Sequence, residues 1–186
     1  QDISAPGNFF DPLIVDGENQ VYSMKRVLLQ TLVVLFFVPL PSQADQVGSL
    51  APPFTVTDLH GNRISSNSLR GKVVFLSFWA PWCLSCREEL PALDELYKKY
   101  KRQGVSVIGI CVDGSEKIVA EFLRRTPVSF PVALDENGYI AEAYLFSGLP
   151  TGFVIGRDGM IRHMHTGFGK EYLPMFEKEI TELLQQ

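Results

Sequence analysis

The chain has 186 residues, 46% of them hydrophobic and 20% charged, enough apolar sequence to bury one sizeable core. A formal charge of −4 with no basic block excludes the electrostatic footprint of a nucleic-acid binder. Three cysteines exclude a disulfide-stapled scaffold and leave an odd thiol after any pair.

Residues 1–23 are acidic and carry no periodicity, and the first methionine is Met24. Met24-Lys25-Arg26 opens a short positive segment, residues 27–38 are nearly apolar, and Pro39-Leu40-Pro41-Ser42-Gln43-Ala44 places small residues at 42 and 44. A positive start, an apolar middle and a small-residue end read as a cleaved secretory signal. The apolar run falls short of the about 20 residues that a membrane span needs, so an uncleaved anchor is the second reading. No cysteine lies near the junction, which excludes a lipoprotein anchor. The expected division is therefore 1–23 as an upstream extension with translation starting at Met24, 24–44 as signal peptide or anchor, and 45–186 as one domain.

Ala51-Pro52-Pro53 reads as an extended entry. Residues 54–57, the turn Asp58-Leu59-His60-Gly61-Asn62 and residues 63–65 form a strand, a turn and a second strand. After a turn at 68–72, the apolar run 73–79 reads as a buried strand. Leu90, Leu93, Leu96, Tyr97 and Tyr100 then lie on one helical stripe, with Glu88 and Glu89 early and Lys98, Lys99, Lys101 and Arg102 late, both matched to the helix dipole. Pro91 should kink this helix and Gly104 stops it. Residues 105–112 form a second apolar strand, parallel to the first if the helix is its crossover. Ser115 caps a helix whose inner face is Ile118, Val119, Phe122 and Leu123. A short extended piece at 130–134 and a small helix at 139–144 follow. A hairpin then turns at Gly156-Arg157-Asp158-Gly159, and a last helix carries Leu173, Phe176, Ile180, Leu183 and Leu184 on one stripe. This order describes a mixed sheet with helices on both faces.

Between the first buried strand and its helix stands Trp79-Ala80-Pro81-Trp82-Cys83-Leu84-Ser85-Cys86. Two cysteines two residues apart thus open a helix, where unpaired amides and the positive dipole end stabilise a thiolate, the species that attacks disulfides. A structural zinc site would need four ligands, commonly two close pairs, and the remaining cysteine, Cys111, has no partner beside it. Cys111 itself sits in an apolar strand and reads as a buried, inert small hydrophobe. Trp79 reads as core and Trp82 as an exposed part of a substrate surface. His163 and His165 share one face of a strand, as a metal pair would, but without a third ligand they read as a solvated face.

On these residues the chain resembles the thioredoxin superfamily, most of all the TlpA/ResA group of secreted or membrane-tethered thiol–disulfide oxidoreductases. The resemblance spans about residues 50–182. Its anchors are Ala51-Pro52-Pro53-Phe54, Leu69-Arg70-Gly71-Lys72, the segment 78–86, Pro91 and Gly148-Leu149-Pro150-Thr151-Gly152-Phe153-Val154-Ile155. It implies an α/β, thioredoxin-like fold: a mixed central β-sheet with helices on both faces and an N-terminal β-hairpin extension. It also implies Cys83 as attacking cysteine, Cys86 as resolving cysteine, and Pro150 as a cis-proline facing the pair. A cis turn there would expose the backbone of Leu149 for pairing with a substrate chain, so Trp82, Leu149 and Pro150 are the expected substrate-binding residues. Thioredoxins keep an acid on the strand beneath the dithiol, where this chain has Ser77, which cannot accept a proton near neutral pH. The TlpA/ResA group often places a buried glutamate after the next strand. Gly114 stands at that point, flanked by Asp113 and Glu116, so Asp113 is the candidate proton acceptor, with a loop acid capping a helix as its alternative.

The resemblance implies an extracytoplasmic enzyme that exchanges protein disulfides, a reductant if a membrane thiol donor re-reduces it, with cytochrome c maturation as the suggested setting. No cofactor beyond the redox-active Cys83–Cys86 disulfide, no metal and no nucleic-acid partner are expected. Two other functions share the fold. A copper carrier would use Cys83, Cys86 and a histidine, since thiolates select Cu(I), but the carriers in view space their cysteines wider. A thiol peroxidase would need a Thr-x-x-Cys pattern and an activating arginine; Arg87 is present and the pattern is not.

Overall fold

A period-two alternation decides how the central strand divides the protein. The computed structural model describes residues 46–186; the expected extension and signal segment lie outside them. Strand β3, Val73–Trp79, is buried along its whole length. Its odd members Val73, Phe75 and Trp79 enter one apolar cluster and its even members Val74, Leu76 and Phe78 another, because successive side chains point to opposite faces. The first cluster is roofed by helices α1, Leu84–Tyr100, and α4, Tyr172–Leu184, through Leu90, Leu93, Phe176 and Ile180. Helix α2, Glu116–Arg125, joins the same cluster through Val119. The second cluster is covered by a two-stranded antiparallel hairpin, β1 (Thr55–Thr57) and β2 (Arg63–Ser65). The short helix α3, Tyr139–Ala143, lies over it too, through Ile140, and Tyr144, just after that helix, packs at an angle against the rings of Phe78 and Phe153.

The five-stranded sheet runs β5-β4-β3-β6-β7. β4, Val105–Cys111, is parallel to β3 as the crossover helix requires, and β5, Val132–Leu134, is parallel to β4. β6, Thr151–Ile155, runs antiparallel to β3 and pairs with β7, Ile161–Thr166, through the expected hairpin. The mixed sheet, the helices on both faces and the N-terminal hairpin are as the sequence implies. One detail differs. Of the expected inner face of α2, Ile118 is exposed, Val119 is fully buried, and Phe122 and Leu123 are half-buried against the first cluster.

Register matters for the site. Ser77 pairs with Gly109 of β4 and with Gly152 of β6, so three neighbouring strands carry almost no side chain at that level. The ring of Phe75 lies where a Cβ on Gly152 would point, 2.6 Å from it. Phe78 pairs with Thr151, which sets Pro150 level with Trp79 at the C-terminal end of β3.

Candidate active site

The chain leaves β3 at Trp79 and enters α1 at Leu84, and the loop between is tied at several points. Cys83 N–H donates to the Ala80 carbonyl at 3.1 Å. Both Nε and Nη2 of Arg87 donate to the Pro81 carbonyl, at 3.2 and 3.1 Å. Cys83 is the N-cap of α1: its sulfur accepts from the Cys86 amide at 3.2 Å, satisfying one of the orphan donors of the first turn. Cys83 and Cys86 form a disulfide with Cα atoms 5.3 Å apart. Cys83 keeps 6% of its surface exposed and Cys86 none. The first cysteine is thus the one a substrate can reach.

Trp82 and Leu84 flank Cys83 in sequence and are among the most exposed large apolar side chains, at 61% and 75%. The Trp82 indole N–H donates to Asp113 Oδ2 at 2.6 Å. Trp79, by contrast, is fully buried against Phe122. Leu149–Pro150 is a cis peptide bond, and Leu149 packs against both apolar clusters. Cys111 is a free, buried thiol, pushed up to about 11 by burial.

Sequence reasoning missed the buried carboxyl. Asp113 lies in an exposed loop, engaged with the Trp82 indole. The buried acid of the cysteine-bearing helix is Glu89, 1% exposed, which the sequence pattern pairs with Glu88 as a dipole partner. Residues three apart on a helix share a face, so Glu89 lies one turn below Cys86 on the buried side of α1. Its Oε2 accepts from Ser77 Oγ at 2.7 Å. At that level the neighbouring strands carry Gly109 and Gly152, whose faces are covered by the side chains of Phe130 and Trp79 and by the Phe75 ring. Burial drives the Glu89 carboxyl up to about 8, outweighing the Ser77 hydrogen bond that pulls it down. Ser77 is no proton acceptor, yet it anchors one.

The histidine pair on β7 is not a solvated face. Glu179 of α4, buried, lies between the two rings, 2.8 Å from His165 Nε2 and 3.4 Å from His163 Nδ1. The histidines thus tie β7 to α4. Among the described residues no group of three or more His, Cys, Asp or Glu is placed to hold a metal ion, so the copper carrier gains no support from this cluster.

A Cys-x-x-Cys disulfide capping a helix, on the end of a mixed sheet whose neighbouring strand opens with a cis-proline, defines a thioredoxin-type thiol–disulfide oxidoreductase. The chain belongs to the AhpC/TSA family, whose model matches residues 47–164. It is 41% identical over 137 residues to the thiol–disulfide oxidoreductase ResA of Bacillus thuringiensis subsp. konkukian, covering 73% of this chain and 79% of that one. It is also 41% identical over 120 residues to ResA of Bacillus subtilis, covering 64% and 67%. A crystal structure from Chlorobium tepidum, assigned as thiol:disulfide interchange protein DsbE, superposes with a TM-score of 0.71 at 33% identity, covering 74% of this chain and 97% of that one. The protein is accordingly a thiol–disulfide oxidoreductase acting on protein thiols and disulfides.

Proposed function

We propose that the enzyme works outside the cytoplasm as a reductant of protein disulfides, with Cys83 attacking, Cys86 resolving and Glu89 carrying the proton between states. The observation that supports this reading is the buried Glu89 carboxyl on the face of α1 that carries Cys86. The Cys83 thiolate attacks one substrate sulfur; the substrate S–S bond breaks and its other sulfur leaves as a thiolate, which takes a proton from water. Cys86 then gives its proton to the Glu89 carboxylate and attacks the Cys83 sulfur. The second substrate thiolate leaves, the Cys83–Cys86 disulfide forms, and two electrons have passed to the substrate. A carboxyl held up to about 8 by burial lies in the pH range where thiols ionise, so it can both take a proton and give it back.

The direction follows from the same group. A dithiol is strongly oxidising when its reduced, thiolate form is over-stabilised. A buried carboxyl that gains charge above about 8 opposes a thiolate beside it, which keeps the pair reducing. Trp82, Leu149 and Pro150 form the substrate surface, and Glu89 takes the role first sought in Asp113. In an oxidising compartment a membrane thiol donor must re-reduce the pair. Kinship with ResA and DsbE proteins and the signal-like segment 24–44 favour an extracytoplasmic setting, with apocytochrome c as the substrate class. Among the described residues no helix is long and apolar enough to cross a membrane.

The test is covalent trapping. Cys86→Ala should hold extracytoplasmic substrate proteins as adducts on Cys83, seen on a non-reducing gel, and Cys83→Ala should hold none. Adducts formed by Cys83→Ala alone would reverse the roles. A reduction potential near −120 mV, instead of near the about −270 mV of thioredoxin, would make the enzyme an oxidant.

A further inference from the structure

Trp82 is held in a way that neither the sulfur chemistry nor the proton relay requires. An indole 61% exposed on a loop ordinarily keeps its side-chain freedom and donates to water. Here its ring nitrogen donates to Asp113, which follows β4, so the bond joins the loops at the same end of two parallel strands. The acceptor is a carboxylate, which makes the bond a charge-assisted one. The other end of the residue is fixed too: Arg87 grips the Pro81 carbonyl, the acceptor of the peptide that joins Pro81 to Trp82, with two donors. Ring tip and backbone are both fixed, from opposite sides in the chain.

A fixed exposed indole beside a nearly buried sulfur has a consequence for binding. Cys83 exposes only 6% of its surface, and its neighbours Trp82 and Leu84 are both apolar and open. A substrate sulfur reaching Cys83 must bring the side chain next to its own cysteine onto these surfaces. Immobilising a side chain on binding costs conformational entropy, and that cost is removed in advance when the ring is already fixed.

We propose that Asp113 and Arg87 are positioning residues that hold the Trp82 indole as a preset apolar wall beside Cys83, selecting protein disulfides whose attacked cysteine has an apolar or aromatic neighbour. The inference rests on Cys83 being the attacking sulfur. The occupant is an extended substrate segment, because the wall stands at the same end of the sheet as Leu149 and the cis-proline, continuous with the substrate surface.

The experiment uses two peptide disulfides of equal length and charge, differing only in Phe or Ser beside the reactive cysteine. The rate constants for their reduction by the reduced enzyme are measured by stopped flow. The wild type should favour the Phe peptide roughly tenfold, the scale of modest apolar discrimination. Asp113→Ala and Arg87→Ala should bring that ratio close to one. Asp113→Asn, whose amide oxygen still accepts from the indole, and Arg87→Lys should keep most of it. In parallel, hydrogen exchange of the Trp82 indole N–H, followed by NMR, should accelerate in Asp113→Ala and stay slow in Asp113→Asn. A wild-type ratio near one overturns the proposal, as does an unchanged ratio in Asp113→Ala with accelerated exchange. A loss in Asp113→Asn as large as in Asp113→Ala overturns the hydrogen-bond assignment. Mass spectrometry of the quenched adduct separates the layers. Peptide on Cys86 refutes the attacking role of Cys83, whereas peptide on Cys83 with an unmoved ratio refutes only the positioning role.

Discussion

Replacing Glu89 by glutamine should make the protein more stable as pH rises, which is the reverse of what removing a surface acid does. Gln keeps the shape and the oxygen that accepts from Ser77 Oγ at 2.7 Å, and it removes the ionisation. In the folded protein the carboxyl titrates near 8, against 4.5 for an ordinary glutamate. Between those values the folded chain holds a proton that the unfolded chain has released, so stability falls as pH climbs through the window and levels off above it. At about 1.36 kcal/mol per pKa unit, the whole window is worth about 5 kcal/mol. Glu89→Gln should match the wild type near pH 4, where both side chains are neutral, and exceed it by several kcal/mol at pH 9. Urea unfolding of the oxidised proteins reads this directly: with a slope of about 2 kcal/mol per molar, the midpoints should separate by about 2–3 M across the range. Midpoints that stay parallel from pH 4 to pH 9 would show an ordinary Glu89, and the proton relay would lose its carrier. The same variant should slow release of the Cys83-bound substrate, because Cys86 then has no buried base.

What the sequence shows and what it hides divide along the range of the interactions. The elements and their order are local: the run 73–79, the stripe from Leu90 to Tyr100, the Ser115 cap and the Gly156–Gly159 turn each declare themselves within a few residues. The cysteine pair and Pro150 are legible as motif. Glu89 is not, because an acid beside Glu88 in an early helical turn looks like a surface charge. Extending the Leu90–Leu93 stripe back by one turn would have put Cys86 and Glu89 on the buried face. What no local pattern contains is the partner that meets this carboxyl, the hydroxyl of Ser77 on a strand flanked at that level by Gly109 and Gly152. Their pairing depends on register between segments far apart in the chain. The partners of Asp113 and Glu179 are hidden for the same reason: one bonds an indole and the other bridges two histidines across separate elements.

Gly152→Ala should lower stability by about 1–3 kcal/mol, because the new methyl would meet the fully buried Phe75 ring, itself packed on Phe176; an unshifted melting temperature would show that the ring gives way freely. Glu179→Ala should cost about 1–3 kcal/mol in urea unfolding by stranding His165, which is largely buried, and Glu179→Gln should recover part of it; equal stability of all three would mean that β7 and α4 do not depend on this bridge. Ser77→Ala tests the site from the strand side. Its hydroxyl supplies the hydrogen bond that draws the Glu89 carboxyl down, against the burial that drives it up. Without it burial acts unopposed, so Glu89 should titrate at still higher pH, and the pH dependence of mixed-disulfide resolution should move the same way. The fold should lose only about 1 kcal/mol, the usual net worth of one hydrogen bond. A large stability loss with an unmoved pH profile would make Ser77 a packing residue alone. A profile moved to lower pH would mean that something other than burial sets the Glu89 proton.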